Sequence, residues 1–245
     1  MDMSDHTLYE YWRQKRDADA FAELVKRHGR MVFSTCCRVL GNPSDAEDVT
    51  QECFLQLASQ QRPLRSPGGW LHRLATHRSL DRLRGETRRL QRESRFGSET
   101  TPPQAPAWDD LRDHVDAAIA QLPDKIQAPL VAHYFEGRTY DALAEKFGIP
   151  RATAASRVAR GVELIRRDLK KKGLILGAVT LAGLLANAPS HALPSALHNS
   201  LIKLALSGPL PAATASSAGA AGLVLKFAGA CVLLAAVVGG TWAVR

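Results

Sequence analysis

The chain has 245 residues and a formal net charge of +8, with 45% hydrophobic and 23% charged residues. That length holds one large or two small domains with cores of their own, and the positive excess points to a polyanionic partner. Four cysteines without a CxxC pair or a recurring spacing argue against a disulfide framework and a zinc site. Cys36, Cys37, Cys53 and Cys231 are expected as small hydrophobes in a reducing compartment. Met1 to Arg16 is polar and charged rather than a leader, so the N-terminal domains are expected inside the cell.

From Phe21 to Leu40 the pattern is helical, with Phe21, Leu24, Val25, His28, Val32, Cys36 and Val39 on one stripe and Gly41-Asn42-Pro43 as the stop. Ser44 with Glu47 predicts a capping box that opens the next helix. There Ala46, Val49, Thr50, Cys53 and Leu57 share the inner face. Asp48, Gln51, Glu52 and Leu55 share the outer one. A leucine ringed by acids suits a protein partner with basic and apolar groups, and the alternative is a plain solvated face.

Gln60 to Gly69 reads as a loop, and Trp70 to Leu90 as a helix without one clean stripe. Trp70, Leu74, His77, Asp81 and Arg84 lie on one side of it and Leu71 and Ala75 on another, so its inner face stays unassigned. Ten arginines between Arg62 and Arg95 face only Asp81, Glu86 and Glu93, a bias that suits phosphate neutralisation. His72 and His77 lack a third ligand and are expected to meet DNA or solvent rather than metal. Residues 96–107 have linker composition, which places a domain boundary near residue 100.

Leu111, Val115, Ala118, Ile119 and Leu122 predict a short amphipathic helix, and a second runs from Asp124 to Phe135. Thr139 then caps a helix carrying Tyr140, Leu143, Ala144 and Phe147, broken by Gly148-Ile149-Pro150. In the helix that follows, Ala154, Ala155, Val158, Val162, Ile165 and Leu169 face inward, while Thr153, Ser156, Arg160, Glu163 and Arg167 face outward. Two helices around a tight turn, the second with outward donors, suit reading of DNA, and the alternative is an ordinary helical hairpin with a solvated basic face. No strand is predicted, so the soluble part is expected to be all-α.

From Leu174 onward the only charged side chains are Lys203, Lys226 and Arg245. Leu174 to Ala186 is apolar but too short to cross a bilayer, and is expected to lie on a membrane or to pair with a spanning helix. Ser207 to Gly222 reads as a flexible tether. Residues 223–243 have the length and apolarity of a transmembrane helix, with Lys226 near one end and Trp242 near the other; a buried soluble helix is the alternative. Lys170, Lys171 and Lys172 favour a cytoplasmic start for that span.

FAELVKRHGRMVFSTCCRVLGNPSDAEDVTQECFLQL followed by GGWLHRLATHRSLDRLR resembles region 2 of the sigma-70 family, in its compact extracytoplasmic function group. LPDKIQAPLVAHYFEGRTYDALAEKFGIPRATAASRVARG is similar to region 4 of the same group. The resemblance implies an all-α chain of two small helical domains, region 2 at 1–95 and region 4 at 111–173, joined by a linker at 96–110 that replaces region 3. A tether at 174–222 and the membrane helix at 223–243 are expected after them.

The function implied is a bacterial factor that binds core RNA polymerase and directs it to promoter DNA, without catalytic residues, cofactor or metal. By position, Asp45, Asp48, Gln51 and Phe54 match the family's polymerase-docking residues. Trp70, Arg73, His77, Arg78 and Arg84 fall in the part that melts and reads the minus-ten strand, and Arg151, Thr153, Ser156, Arg157 and Arg160 match the major-groove reader of the minus-thirty-five element. Ala155 departs from the basic residue often found there. Further expected partners are the inner membrane, holding the factor at the cytoplasmic side, and an anti-sigma factor. The rival readings are a membrane-anchored helix-turn-helix regulator and a polymerase-binding adaptor.

Overall fold

Side-chain caps set several of the helix starts. Ser4 accepts from the Thr7 amide to open α1 (Asp5–Lys15), and Asp17 accepts from Ala20 to open α2 (Ala18–Leu40). At α3 (Pro43–Ser59) the cap is Asn42, which accepts from the Ser44 amide, rather than the expected Ser44. Pro43 explains the shift: it has no amide to leave unpaired and is already set for the first helical position. α4 (Pro67–Glu93) begins earlier than Trp70, taking Gly68 and Gly69 out of the expected loop. α5 (Trp108–Ala120), α6 (Asp124–Tyr134), α7 (Tyr140–Phe147), α8 (Arg151–Lys171), α9 (Ala178–Ala186) and α10 (Ser195–Leu206) follow. This computed structural model describes residues 3–93, 108–174 and 176–206, and all regular structure among them is helical.

α1 is a helix that the polar composition of the N-terminus concealed. Its Leu8, Tyr9 and Trp12 are buried. The Trp12 ring lies 4.6 Å from Phe21 and its Nε1 donates to the Ala58 carbonyl at 3.2 Å, while the Tyr9 hydroxyl donates to the carbonyls of Gln60 and Arg62. α1 thus pins the loop ahead of α4. The inner face of α4 runs through Leu71, His72, Ala75, Thr76 and Ser79. Three of those five residues are polar, which is why no stripe showed. His72 is fully buried, correcting its expected exposure to DNA or solvent.

α5 to α8 form a second helical body, whose Ile119, Leu130, Ile165 and Leu169 join the same buried cluster as α1 to α4. A smaller cluster of Ala132, Leu143, Ala154 and Val158 sets α7 against α8. Gly161 allows α8 to approach α6 closely. A Cβ there would stand 2.5 Å from Leu130 Cδ1 and 3.1 Å from Ile126 Cγ2.

The C-terminal expectations need correction. No helix among the described residues is long and apolar enough to cross a membrane. The apolar stretch from Leu174, expected on a membrane or against a spanning helix, instead packs inside the protein: Leu181 and Leu185 of α9 are buried in the main cluster, as are Leu197 and Leu201 of α10. Each such leucine contributes at most about 1.5–3 kcal/mol by leaving water, so the protein interior itself accounts for this apolarity. The expected span at 223–243 lies outside the described residues. The hydrophobic membrane helix, the inner-membrane partner and the tethered location are therefore withdrawn.

Gly161→Val is expected to destabilise the fold by about 1–3 kcal/mol through overpacking against Leu130, seen as a lower denaturant midpoint with an unchanged slope.

Candidate nucleic-acid interface

The ends of the α7 and α8 pair are set by three residues. Thr139 accepts from the Ala142 amide at 3.3 Å, Gly148 takes a φ of 59° that ends α7, and Pro150 starts α8. Tyr134, Tyr140, Phe147 and Ile149 pack around the small core beneath, so α8 is held at a fixed angle. Ala154, Val158, Gly161, Val162, Ile165 and Leu169 form its buried row. Arg151, Ser156 and Arg160 are exposed, and Thr153 and Arg157 are half-buried beside them. Ala155, expected inward, is also only half-buried. Arg151 Nε lies 3.0 Å from Asp141 Oδ1, but both side chains are mostly in water, so the pair is weak and exchangeable. Farther along, Glu163 holds Arg166 and Arg167. The free donors are thus concentrated in the first half of the helix.

On α4, His77, Arg78 and Arg84 are exposed and Trp70 is half-buried. Arg78 donates to Gln56 Oε1 at 3.0 Å, and Arg84 lies 3.4 Å from Asp81. Arg73 is placed differently: it donates to the carbonyls of Ala120 and Leu122 and to Asp124 and Gln127, at 2.7 to 3.0 Å. It therefore satisfies the terminal carbonyls of α5 and ties α4 to the second body. On α3, Asp48, Gln51 and Leu55 are exposed, while Asp45 and Asp48 both face Arg82. Phe54 is fully buried, edge-on to Phe21 with ring centroids 6.3 Å apart. It belongs to the core and offers no surface to a partner.

Between the two bodies lies a set of buried charges. His28 of α2 has Nδ1 3.1 Å from Glu136 Oε1, and Nε2 3.1 Å from Asp5 Oδ2, an ion-pair distance outside good hydrogen-bond geometry. Lys146 of α7 reaches both Asp5 and Glu136 at 2.9 Å. Burial opposes every one of these charges, and the partners outweigh it. For His28, burial lowers the pKa, but the Glu136 charge and the Asp5 contact raise it from 6.5 to about 9. Glu136 is pushed up by burial and pulled down further by His28 and Lys146, to about 2. Asp5 is held well below its usual range in the same way, chiefly by His28, and Lys146 is raised by Glu136 and Asp5.

Gly68 makes this junction possible, since a Cβ there would stand 2.7 Å from Glu136 Oε1 and 2.9 Å from His28 Cε1. A second junction pairs Arg38 with Asp116 through two bonds of 2.9 and 3.0 Å. Phe135 lies between the Arg38 guanidinium, 4.5 Å from its centroid, and the stacked His72 ring at 5.3 Å. Burial lowers the His72 pKa despite Asp116, whose own pKa is held low, against burial, by Arg38.

Residues 24–89 match the family description Sigma-70 region 2, and residues 112–165 match Sigma-70, region 4. The ECF RNA polymerase sigma factor SigK of Mycobacterium sp. (strain KMS) is 34% identical over 165 residues, covering 63% of this chain and 86% of that protein. The chain belongs to the sigma-70 family, in its extracytoplasmic function group. The sigma factor SigW of Bacillus subtilis (strain 168) is 29% identical over 173 residues, covering 64% of this chain and 92% of that protein. Among solved structures, the sigma factor RpoE in complex with the anti-sigma factor NepR from Bartonella quintana covers 61% of this chain and 96% of that one. Its identity is 18% and its TM-score 0.31, too low to bear on the helix arrangement here.

This sigma factor directs RNA polymerase-dependent transcription initiation and is not itself an enzyme. The rival readings as a regulator or adaptor give way to it. The junction residues were missed because each looked ordinary in sequence: His28 sat on an apolar stripe and Asp116 inside an amphipathic helix. The signal available was a charged residue on a face that should have been apolar.

Because the folded His28 pKa lies above its ordinary value, its contribution to stability is full below about pH 6.5 and is lost as pH rises through about 9. Denaturant unfolding of the full chain is expected to lose on the order of 1–3 kcal/mol between pH 6 and pH 9.5 from this group. In His28→Gln that loss should be absent, with stability lower at pH 6 to begin with.

Proposed function

We propose a division of labour among three surfaces of this sigma factor. Arg151, Thr153, Ser156, Arg157 and Arg160 on α8 read the minus-thirty-five element as duplex, with the first four nearest the base edges and Arg160 on phosphate. Trp70, His77, Arg78 and Arg84 on α4 take the melted minus-ten strand, through stacking and backbone contacts. Asp45, Asp48 and Gln51 on α3 dock on core polymerase. The observation that carries this reading is the two-sided build of α8, a packed apolar row opposite free donors on a helix fixed at both ends of its turn.

The two DNA elements are separated by about 25 base pairs, or about 80 Å of duplex. A compact body of about 200 residues measures roughly 45 Å across. Regions 2 and 4 therefore have to part before both elements are engaged. Residues 94–107 between them reach at most about 50 Å when fully extended. Parting also releases Arg73 from the α5 carbonyls, and it joins the α4 surface at that stage.

Arg157→Ala is expected to cost about 1–3 kcal/mol on promoters selected from a genomic library with core polymerase, and to relax their sequence preference. Arg160→Ala should weaken all duplexes alike and reduce the salt slope of binding by about one. Asp48→Ala should weaken core polymerase binding and leave duplex affinity unchanged. Unchanged promoter-dependent transcription in all three variants would overturn the reading.

A further inference from the structure

Residues 176–206 lie C-terminal to both matched regions, yet they are built into the fold. α9 packs on α8 of region 4, and α10 packs on α2 and α3 of region 2. The segment between them is fixed to α2 at defined points. Ser34 Oγ donates to the His191 carbonyl at 3.2 Å and accepts from its amide at 2.9 Å, and the His191 ring stands edge-on to Phe33. One turn earlier on α2, Gly29 leaves the space that Leu193 fills, and a Cβ there would stand 2.8 Å from Leu193 Cδ2. On α10, Leu197, Leu201 and Leu204 follow at spacings of four and three, the first two fully buried and the third partly. One continuous segment therefore grips both DNA-binding regions, chiefly through apolar contact.

The seat of α9 borders open space. A cleft of about 300 Å³ opens between α9 and the Arg38, Asp116 and Phe135 junction, lined mainly by apolar atoms. α10 also covers part of the α2 and α3 pair, the same pair whose outer acids are assigned to polymerase docking.

We propose that residues 176–206 are an intramolecular clasp that holds regions 2 and 4 closed, and that α10 must leave α2 and α3 before the factor engages a promoter. This rests on the function proposed above, because closure matters only if both regions have to reach separate DNA elements. The clasp acts within the chain, so closure is independent of protein concentration. Its hold is apolar, so raising salt weakens DNA binding without opening it.

The test uses the full chain with fluorophores on unnatural residues at Ser59 and Lys170, exposed positions in the two regions. Two variants attack the clasp differently. Leu197→Asp with Leu201→Asp removes the apolar seat of α10. Gly29→Ala favours helix in α2 while pushing Leu193 away, so a loosened clasp there does not come from an unfolded region 2. Energy transfer between the labels should fall in both variants, more in the first. Single-round transcription with core polymerase on a genomic promoter library should rise several-fold, while Leu197→Met with Leu201→Met should leave both readings unchanged.

Unchanged energy transfer in both clasp variants overturns the proposal. So does a longer distance accompanied by unchanged or reduced transcription. If the wild-type chain gives no promoter-dependent transcript, the proposed function fails, and energy transfer alone decides whether the segment holds the two regions together.

Discussion

The fold depends on one constraint: the charges at the junction of regions 2 and 4 are buried only as long as they face one another. Asp5 and His28 come from the first region, and Glu136 and Lys146 from the second. Removing any one leaves an uncompensated charge out of water, which is costly, whereas separating the regions lets water replace the partner. A junction of this type specifies how two bodies meet without binding them strongly. It suits a protein whose parts must meet in one way and then come apart. Arg38 with Asp116 repeats the device at a second point, and Gly68 supplies the space for the first.

Net stabilisation of the closed form has to come from elsewhere, and the apolar surface of α9 and α10 supplies it. This also resolves the tail's composition. A stretch nearly free of charge is what a bilayer requires, but it is equally what a helix requires when it lies across two others. Arg73 connects the two ideas: its guanidinium completes the end of α5, and in the function proposed above the same donors become available on α4 once the regions part. On the proposed function, the region 2 surface for DNA gains Arg73 only after region 4 has left it, while the donors of α8 need no such change.

Much of this was legible in the sequence wherever a local rule was sufficient. Gly41 and Gly148 stop helices by taking left-handed backbone, and the inner and outer faces of α3 and the buried row of α8 follow from spacing alone. What stayed hidden needed a partner from far along the chain. α1 places only Leu8, Tyr9 and Trp12 in the core among polar neighbours, and α4 buries His72, Thr76 and Ser79, which no hydropathy pattern marks. Phe54 was assigned to a docking surface by position in the family motif, yet its ring completes the core beside Phe21. The stripe of Leu197, Leu201 and Leu204 is present in the sequence, but nothing local says that its partner is α2 (Ala18–Leu40), far back along the chain.

In the proposed function, one chain alternates between a closed body and an open, promoter-spanning one. Pulsed dipolar spectroscopy between spin labels on unnatural residues at Ser59 and Lys170 measures this directly, in the free factor and in its complex with core polymerase and promoter DNA. A single short distance is expected in the free protein, and one longer by tens of ångströms in the complex. The same distance in both states would contradict this alternation.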